Sequence, residues 1–119
     1  MVEDEVHLKN NEAPHALVDI DETICFYEDE ANRVYKLAIP NQNNIKKIND
    51  LYDNGWNISY WTARGSTQID NVERLNYLRE LTLNQLNEWG AKHHDLIIGD
   101  KKPFFDLVID DKAKRIEEL

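Results

Sequence analysis

The hydrophobic and polar positions alternate between short apolar runs and longer helical patterns. Ala16-Leu17-Val18 is an apolar run that ends at Asp19 and reads as a buried strand. Residues 26–38 mix Phe26, Tyr27, Val34, Tyr35 and Leu37 with acidic positions, the pattern of a hairpin or flap. Pro40 and Asn41 mark a helix entry, Ile45, Ile48 and Leu51 follow at helical spacing, and Gly55 is a stop. Trp56 to Trp61 reads as a second strand, closed by Thr62-Ala63-Arg64-Gly65. Ile69, Val72 and Leu75 suggest another helical stretch. Thr82 and Gln85 have the spacing of a capping box, which predicts a separate helix from there to Trp89, with Gly90 beyond its end. Leu96-Ile97-Ile98 and Phe105 to Asp110 read as the third and fourth strands, and Lys112 to Glu118 as a terminal helical turn.

Strands alternating with helices predict an α/β fold, a parallel sheet flanked by helices. Residues 1–14 form a polar N-terminal segment, and residues 15–119 are expected to make one domain. Ligands of such sheets bind outside the carboxyl ends of the strands. The polar residues after each apolar run should therefore meet in one place.

Charge narrows the partners. Against 14 Lys and Arg stand 23 Asp and Glu, a net charge of −9, which disfavours nucleic-acid backbones and anionic membrane surfaces. A small anion is still compatible, because a metal ion and a few local cations can reverse the sign inside a pocket. No stretch approaches the roughly 20 apolar residues of a membrane span, and no signal-peptide core is visible. Cys25 is the single cysteine and has no internal disulfide partner. The expected location is cytoplasmic.

The strand ends carry a coherent set of groups. The first strand ends in Asp19-Ile20-Asp21-Glu22-Thr23, the second in Thr62 and Arg64, and the fourth in Asp110-Asp111. Lys101 and Lys102 lie in the loop before the fourth. Four carboxylates at one edge would repel one another and call for a cation, and hard oxygen donors select Mg²⁺ or Ca²⁺. A hydroxyl, an arginine and a lysine beside that ion suit a phosphoryl group. Metal, lysine and a carboxylate nucleophile are together the parts for phosphoryl transfer through an aspartyl-phosphate. Each piece alone is weak, since a lone D-x-D is usually a solvated turn and an acidic pair often opens a helix. Their order, each behind its own strand, is what carries weight. A calcium loop would use Asp19, Asp21, Thr23 and Glu30, but Ile24 occupies the position where its sharp turn needs glycine.

With these residues in place, the chain resembles the haloacid dehalogenase-like (HAD) hydrolases, mostly phosphatases on a Rossmann-like sheet. Their D-x-D-x-T looks like Asp19 to Thr23, their strand-ending Ser or Thr like Thr62, their lysine like Lys102 or Lys101, and their acidic pair like Asp110-Asp111. Lys102 directly precedes Pro103, which favours it over Lys101. Glu22 stands where glycine is common. The resemblance implies an Mg²⁺-dependent hydrolase in which Asp19 is nucleophile and metal ligand. It implies that Asp21 protonates the leaving group and then activates water, its main-chain carbonyl on the metal. Thr62 would hold a phosphoryl oxygen and the lysine would neutralise charge. Asp110 would bind the metal directly, and Asp111 directly or through water. Main-chain N–H groups at Ile20 and Asp21 would complete the phosphoryl cradle, with Thr62, Ala63, Arg64 and Lys102 as the other substrate-facing positions. Arg64 could equally pair with a carboxylate. Tyr60 to Gly65, Trp89-Gly90 and Ile109 to Ala113 look more narrowly like small phosphatases of capsular or surface-polysaccharide biosynthesis.

Neither the interval from Asp19 to Thr62 nor that from Thr62 to Lys102 has room for an inserted cap, since domains below about 40 residues rarely stand alone. A capless core with an open site is expected, and capless relatives often form oligomers, so a homodimer or tetramer is the corresponding expectation. The substrate implied is a small phosphomonoester, such as a sugar or polyol phosphate. A 3′-phosphatase on nucleic-acid ends is the second reading, disfavoured by the charge. A module that binds a phosphorylated ligand without turnover is the third. His93, His94 and the three tryptophans are assigned to surface or core, Cys25 to the interior, and the flap aromatics to ordinary packing.

Overall fold

The computed structural model describes residues 13–99, 107–109, 116 and 119. Six strands and two α-helices are present among them: β1 (His15–Asp19), β2 (Cys25–Phe26), β3 (Ile39–Pro40), α1 (Gln42–Asp53), β4 (Asn57–Thr62), α2 (Val72–Glu88), β5 (Asp95–Ile98) and β6 (Leu107–Ile109). Short 3₁₀ turns cover Tyr35–Leu37 and Ser66–Gln68.

The main sheet has the order β5-β4-β1-β6, and every pairing in it is parallel. This bears out the α/β reading. Ala16, Leu17 and Val18 are buried in succession, as expected where both faces of a strand are covered. Register aligns the carboxyl ends: Asp19 lies opposite Trp61, Val18 opposite Ile109, and Thr62 opposite Ile98. The core joins Ala16, Val18 and Ile20 to Ile45 and Ile48 of α1, Ile58 and Tyr60 of β4, Leu86 of α2, Ile109 and Ile116. Burying one such aliphatic side chain contributes about 1.5–3 kcal/mol, so this cluster fixes how β1 sits among its neighbours.

Helix α1 follows its sequence signals closely. The Asn41 side chain accepts from the Asn44 N–H at 3.1 Å, capping the helix. Ile45 and Ile48 are the buried positions, and the chain leaves through Gly55 in a left-handed turn. Residues 27–38 connect β2 to β3, which pair antiparallel as a small second sheet, so of the two expectations the segment is a flap closed at its base by two short strands. Among the described residues no helix is long and apolar enough to cross a membrane. Ile116 is buried within the expected terminal turn, whose remaining residues lie outside the described ones.

The second helical region departs from expectation. Val72 to Glu88 is one helix of 17 residues, capped by Asn71 rather than restarted at Thr82. Ile69 lies before it and is exposed. Thr82 is interior, its hydroxyl donating to the Leu78 carbonyl at 2.7 Å, the back-bonding open to a threonine in mid-helix. Spacing of three residues also places two side chains on one helical face, and that is the role Thr82 and Gln85 fill.

Gly65 turns the chain after β4. Its φ is +83°, and a Cβ there would sit 2.7 Å from Leu75 Cδ2 and 3.0 Å from Leu78 Cδ1. Gly65→Ala combines left-handed strain with overpacking and should cost about 2–4 kcal/mol. The check is urea denaturation, with a lowered midpoint and an unchanged slope.

Candidate active site

Asp21 is the centre of the described site. It follows β1 in a loop whose next residue, Glu22, has φ +68°. This left-handed geometry is one that glycine adopts most easily, and here a glutamate holds it. The Glu22 carboxylate is 2.8 Å from Arg33, which also pairs with Glu30 at 2.7 Å and lies over the Tyr27 ring. These contacts tie the loop to the flap.

The Asp21 carboxylate accepts from four side chains. Arg64 holds it in a fork, Nη2 to Oδ1 at 2.9 Å and Nε to Oδ2 at 3.2 Å. The Tyr27 hydroxyl donates to Oδ1 at 2.6 Å, and the Thr62 hydroxyl to Oδ2 at 3.2 Å. The Cys25 thiol lies 3.5 Å from Oδ1. Burial pushes the Asp21 carboxyl up, but the hydrogen bonds and charge of Arg64, with those from Tyr27 and Cys25, outweigh it and hold the group below its ordinary value. The same carboxylate acts in the other direction on its donors. Burial first, then Asp21, raises the Cys25 thiol and the Tyr27 hydroxyl, so both stay protonated at neutral pH.

Arg64 is fully committed. A guanidinium carries five N–H donors. Two go to Asp21, one to the Thr82 hydroxyl at 3.0 Å, one to Gln85 Oε1 at 2.7 Å, and one to the Tyr27 hydroxyl at 3.1 Å. Its Cζ lies over the Tyr35 ring, 4.8 Å from the centroid, and its side chain has no exposure. Gln85 in turn donates to the Tyr35 carbonyl at 2.8 Å. Of the two roles open to Arg64 in the sequence, this arrangement is carboxylate pairing, with no donor left over for a phosphoryl group.

The other expected positions fall as follows. Asp19 ends β1 at the carboxyl edge of the sheet and is half-buried. Thr62 ends β4, is wholly buried, and has its hydroxyl shared between Asp21 and the Arg64 N–H. Ile20 departs from expectation: its N–H donates to the Trp61 carbonyl at 3.1 Å, so sheet pairing takes the hydrogen bond expected for a phosphoryl cradle. Ala63 is exposed beside that edge. Lys101, Lys102, Asp110 and Asp111 lie outside the described residues. Cys25 is buried as expected, but in contact with Asp21. Tyr27 and Tyr35 do more than pack, since both touch the Asp21–Arg64 pair. The imidazole of His94 accepts from the Ile58 N–H at 3.0 Å and stacks on Tyr52, and His93 lies edge-on to Tyr60, so both histidines are structural.

A donor set of carboxylate and main-chain carbonyl oxygens suits a hard divalent ion such as Mg²⁺. Of the expected ligands, Asp19 and the main-chain carbonyl of Asp21 belong to the described residues. Both Asp21 carboxylate oxygens accept from protein donors, which leaves its main-chain carbonyl as the metal-facing group that the resemblance implies.

Comparison with known proteins adds to the fold alone. No known family's sequence profile matches the chain, and no curated protein does. A crystal structure of a Vibrio cholerae protein is 24% identical, superposes with a TM-score of 0.66, and covers 88% of this chain and 85% of its own. The α/β architecture is thus shared with that protein, and at this identity the likeness extends no further.

Proposed function

We propose that the chain is a capless, HAD-like, Mg²⁺-dependent phosphatase that hydrolyses a small phosphomonoester through an aspartyl-phosphate on Asp19. One observation carries this reading: β1 lies between β4 and β6 in parallel register, so that all three strands end at the same edge of the sheet. The acidic pair Asp110-Asp111 comes directly after Ile109 in the chain. Asp19 and Thr62 end the other two strands, and Asp21 is held beside Thr62.

In this reaction an Asp19 carboxylate oxygen attacks phosphorus. The new P–O bond forms as the ester P–O bond breaks, and the leaving oxygen takes the electron pair and a proton. Water then attacks the same phosphorus, the P–O bond to Asp19 breaks and the water gives up a proton, which releases inorganic phosphate and restores the Asp19 carboxylate. Asp21 is the group that exchanges a proton with the leaving oxygen and then with the water. Its ionised state in the free protein suits the second task directly; for the first it must take up a proton against the Arg64 charge. Asp19, the Asp21 carbonyl and the acidic pair would hold Mg²⁺, which supplies charge neutralisation when bound. Lys102 would neutralise the phosphoryl oxygens. The net charge of −9 keeps a small phosphate ester, as in surface-polysaccharide biosynthesis, ahead of a nucleic-acid end.

Hydrolysis of an aryl phosphate by the purified protein should require Mg²⁺. Chelator should lower the rate by at least about 100-fold, and added Mg²⁺ should restore it. Activity that is indifferent to chelator would overturn the metal-dependent mechanism. Mg²⁺ binding without turnover would favour a ligand-sensing module instead.

A further inference from the structure

We infer that Arg64 is a positioning residue, fixing the Asp21 carboxylate in the plane and orientation from which it serves the leaving-group oxygen. This rests on the phosphatase reading and adds a residue to it. Asp21 sits in a tight loop rather than in a strand, and an aspartate there has two free side-chain torsions. A planar two-point fork removes that freedom, which a single hydrogen bond does not. The fork is itself immobilised. Thr82 and Gln85 of α2 take its far donors, the Tyr35 ring centroid lies 4.8 Å from its Cζ, and Tyr27 bridges both partners. The pair is also asymmetric: the Arg64 side chain is 0% exposed while that of Asp21 keeps 12%. The cation is thus wholly enclosed, and the Asp21 side chain, held beside Thr62 at the carboxyl edge of the sheet, keeps the pair's remaining contact with solvent. A pair serving the core alone has no need to hold one member at that edge. A substrate-binding arginine would instead keep donors unpaired, and here none of the five is.

The test uses Arg64→Lys, which keeps the charge and loses the fork, and two esters that differ in their need for a proton. Glycerol phosphate leaves as a poorly stabilised alkoxide and depends on protonation; nitrophenyl phosphate leaves readily without it. kcat/KM reports steps through transfer to Asp19. It should fall about 100-fold for glycerol phosphate and less than about tenfold for the aryl ester, the scale of general acid–base catalysis. Equal losses on the two esters would make Arg64 merely structural and overturn the inference, as would no loss on either. Should Arg64→Lys fail to fold by circular dichroism, Tyr27→Phe decides. It removes one donor to Asp21 and must show the same split at smaller amplitude, while equal losses there overturn the inference too. A wild-type protein inert on both esters would instead bring down the phosphatase reading itself.

Discussion

Asp19→Asn is expected to abolish turnover, with a loss of at least about four powers of ten, or ~5.5 kcal/mol of barrier, while the fold persists. An amide is close to isosteric with the carboxylate, so the β1 terminus keeps its shape. It cannot form the acyl phosphate, because the neutral nitrogen or oxygen is a poor nucleophile. The measurement is steady-state hydrolysis of an aryl phosphate alongside thermal unfolding. A wild-type rate in a folded variant would rule out covalent catalysis at Asp19. Loss of rate together with loss of fold would show that Asp19 also supports the sheet edge.

Arg64→Met should destabilise the protein by about 3–5 kcal/mol, the usual cost of stranding one member of a buried ion pair. Asp21 would be left largely buried with its strongest partner gone. In urea the midpoint should fall by about 2 M at a slope near 2 kcal/mol/M. The double variant Arg64→Met with Asp21→Leu should recover part of that loss, since no buried charge remains. The pH dependence follows from the same pair. The folded carboxyl of Asp21 lies below its ordinary value of 3.8, so its contribution is complete above that pH and is lost as pH falls through the folded value. Wild-type stability should therefore decline below about pH 4 in a way that Arg64→Met does not share. Parallel acid-unfolding curves for the two proteins would show that the pair contributes nothing to stability.

Periodicity was enough for the sheet and for α1, because each buried face is written locally. Ala16-Leu17-Val18 is apolar without a break, and Asn41 and Gly55 bracket Ile45 and Ile48 with ordinary capping chemistry. It failed at α2 for a reason that bears on the site. The polar pair Thr82 and Gln85 reads as a helix start only if nothing polar needs it inside. Here both are buried beneath Arg64, and no local rule connects residue 64 with residues 82 and 85. The available signal was their position between Leu78 and Leu86, on what is otherwise an apolar face. Tyr27 and Tyr35 were hidden in the same way, since an aromatic in a flap carries no sign that its hydroxyl or ring serves a distant ion pair. The Ile20 N–H was lost to a sheet bond because β4 runs alongside one residue further than the apolar run of β1 suggests.

The way Arg64 distributes its donors has a practical consequence for anyone moving this chemistry elsewhere. Transplanting Asp19 and Asp21 onto another parallel sheet would carry the proposed reactive groups but leave behind the side chains that steady one of them. A working graft must also import Tyr27 and Arg64 and an α2 whose turns present Thr82 and Gln85 at the correct height. The sequence of α2, far along the chain from Asp21, is in that sense part of the design of the candidate site.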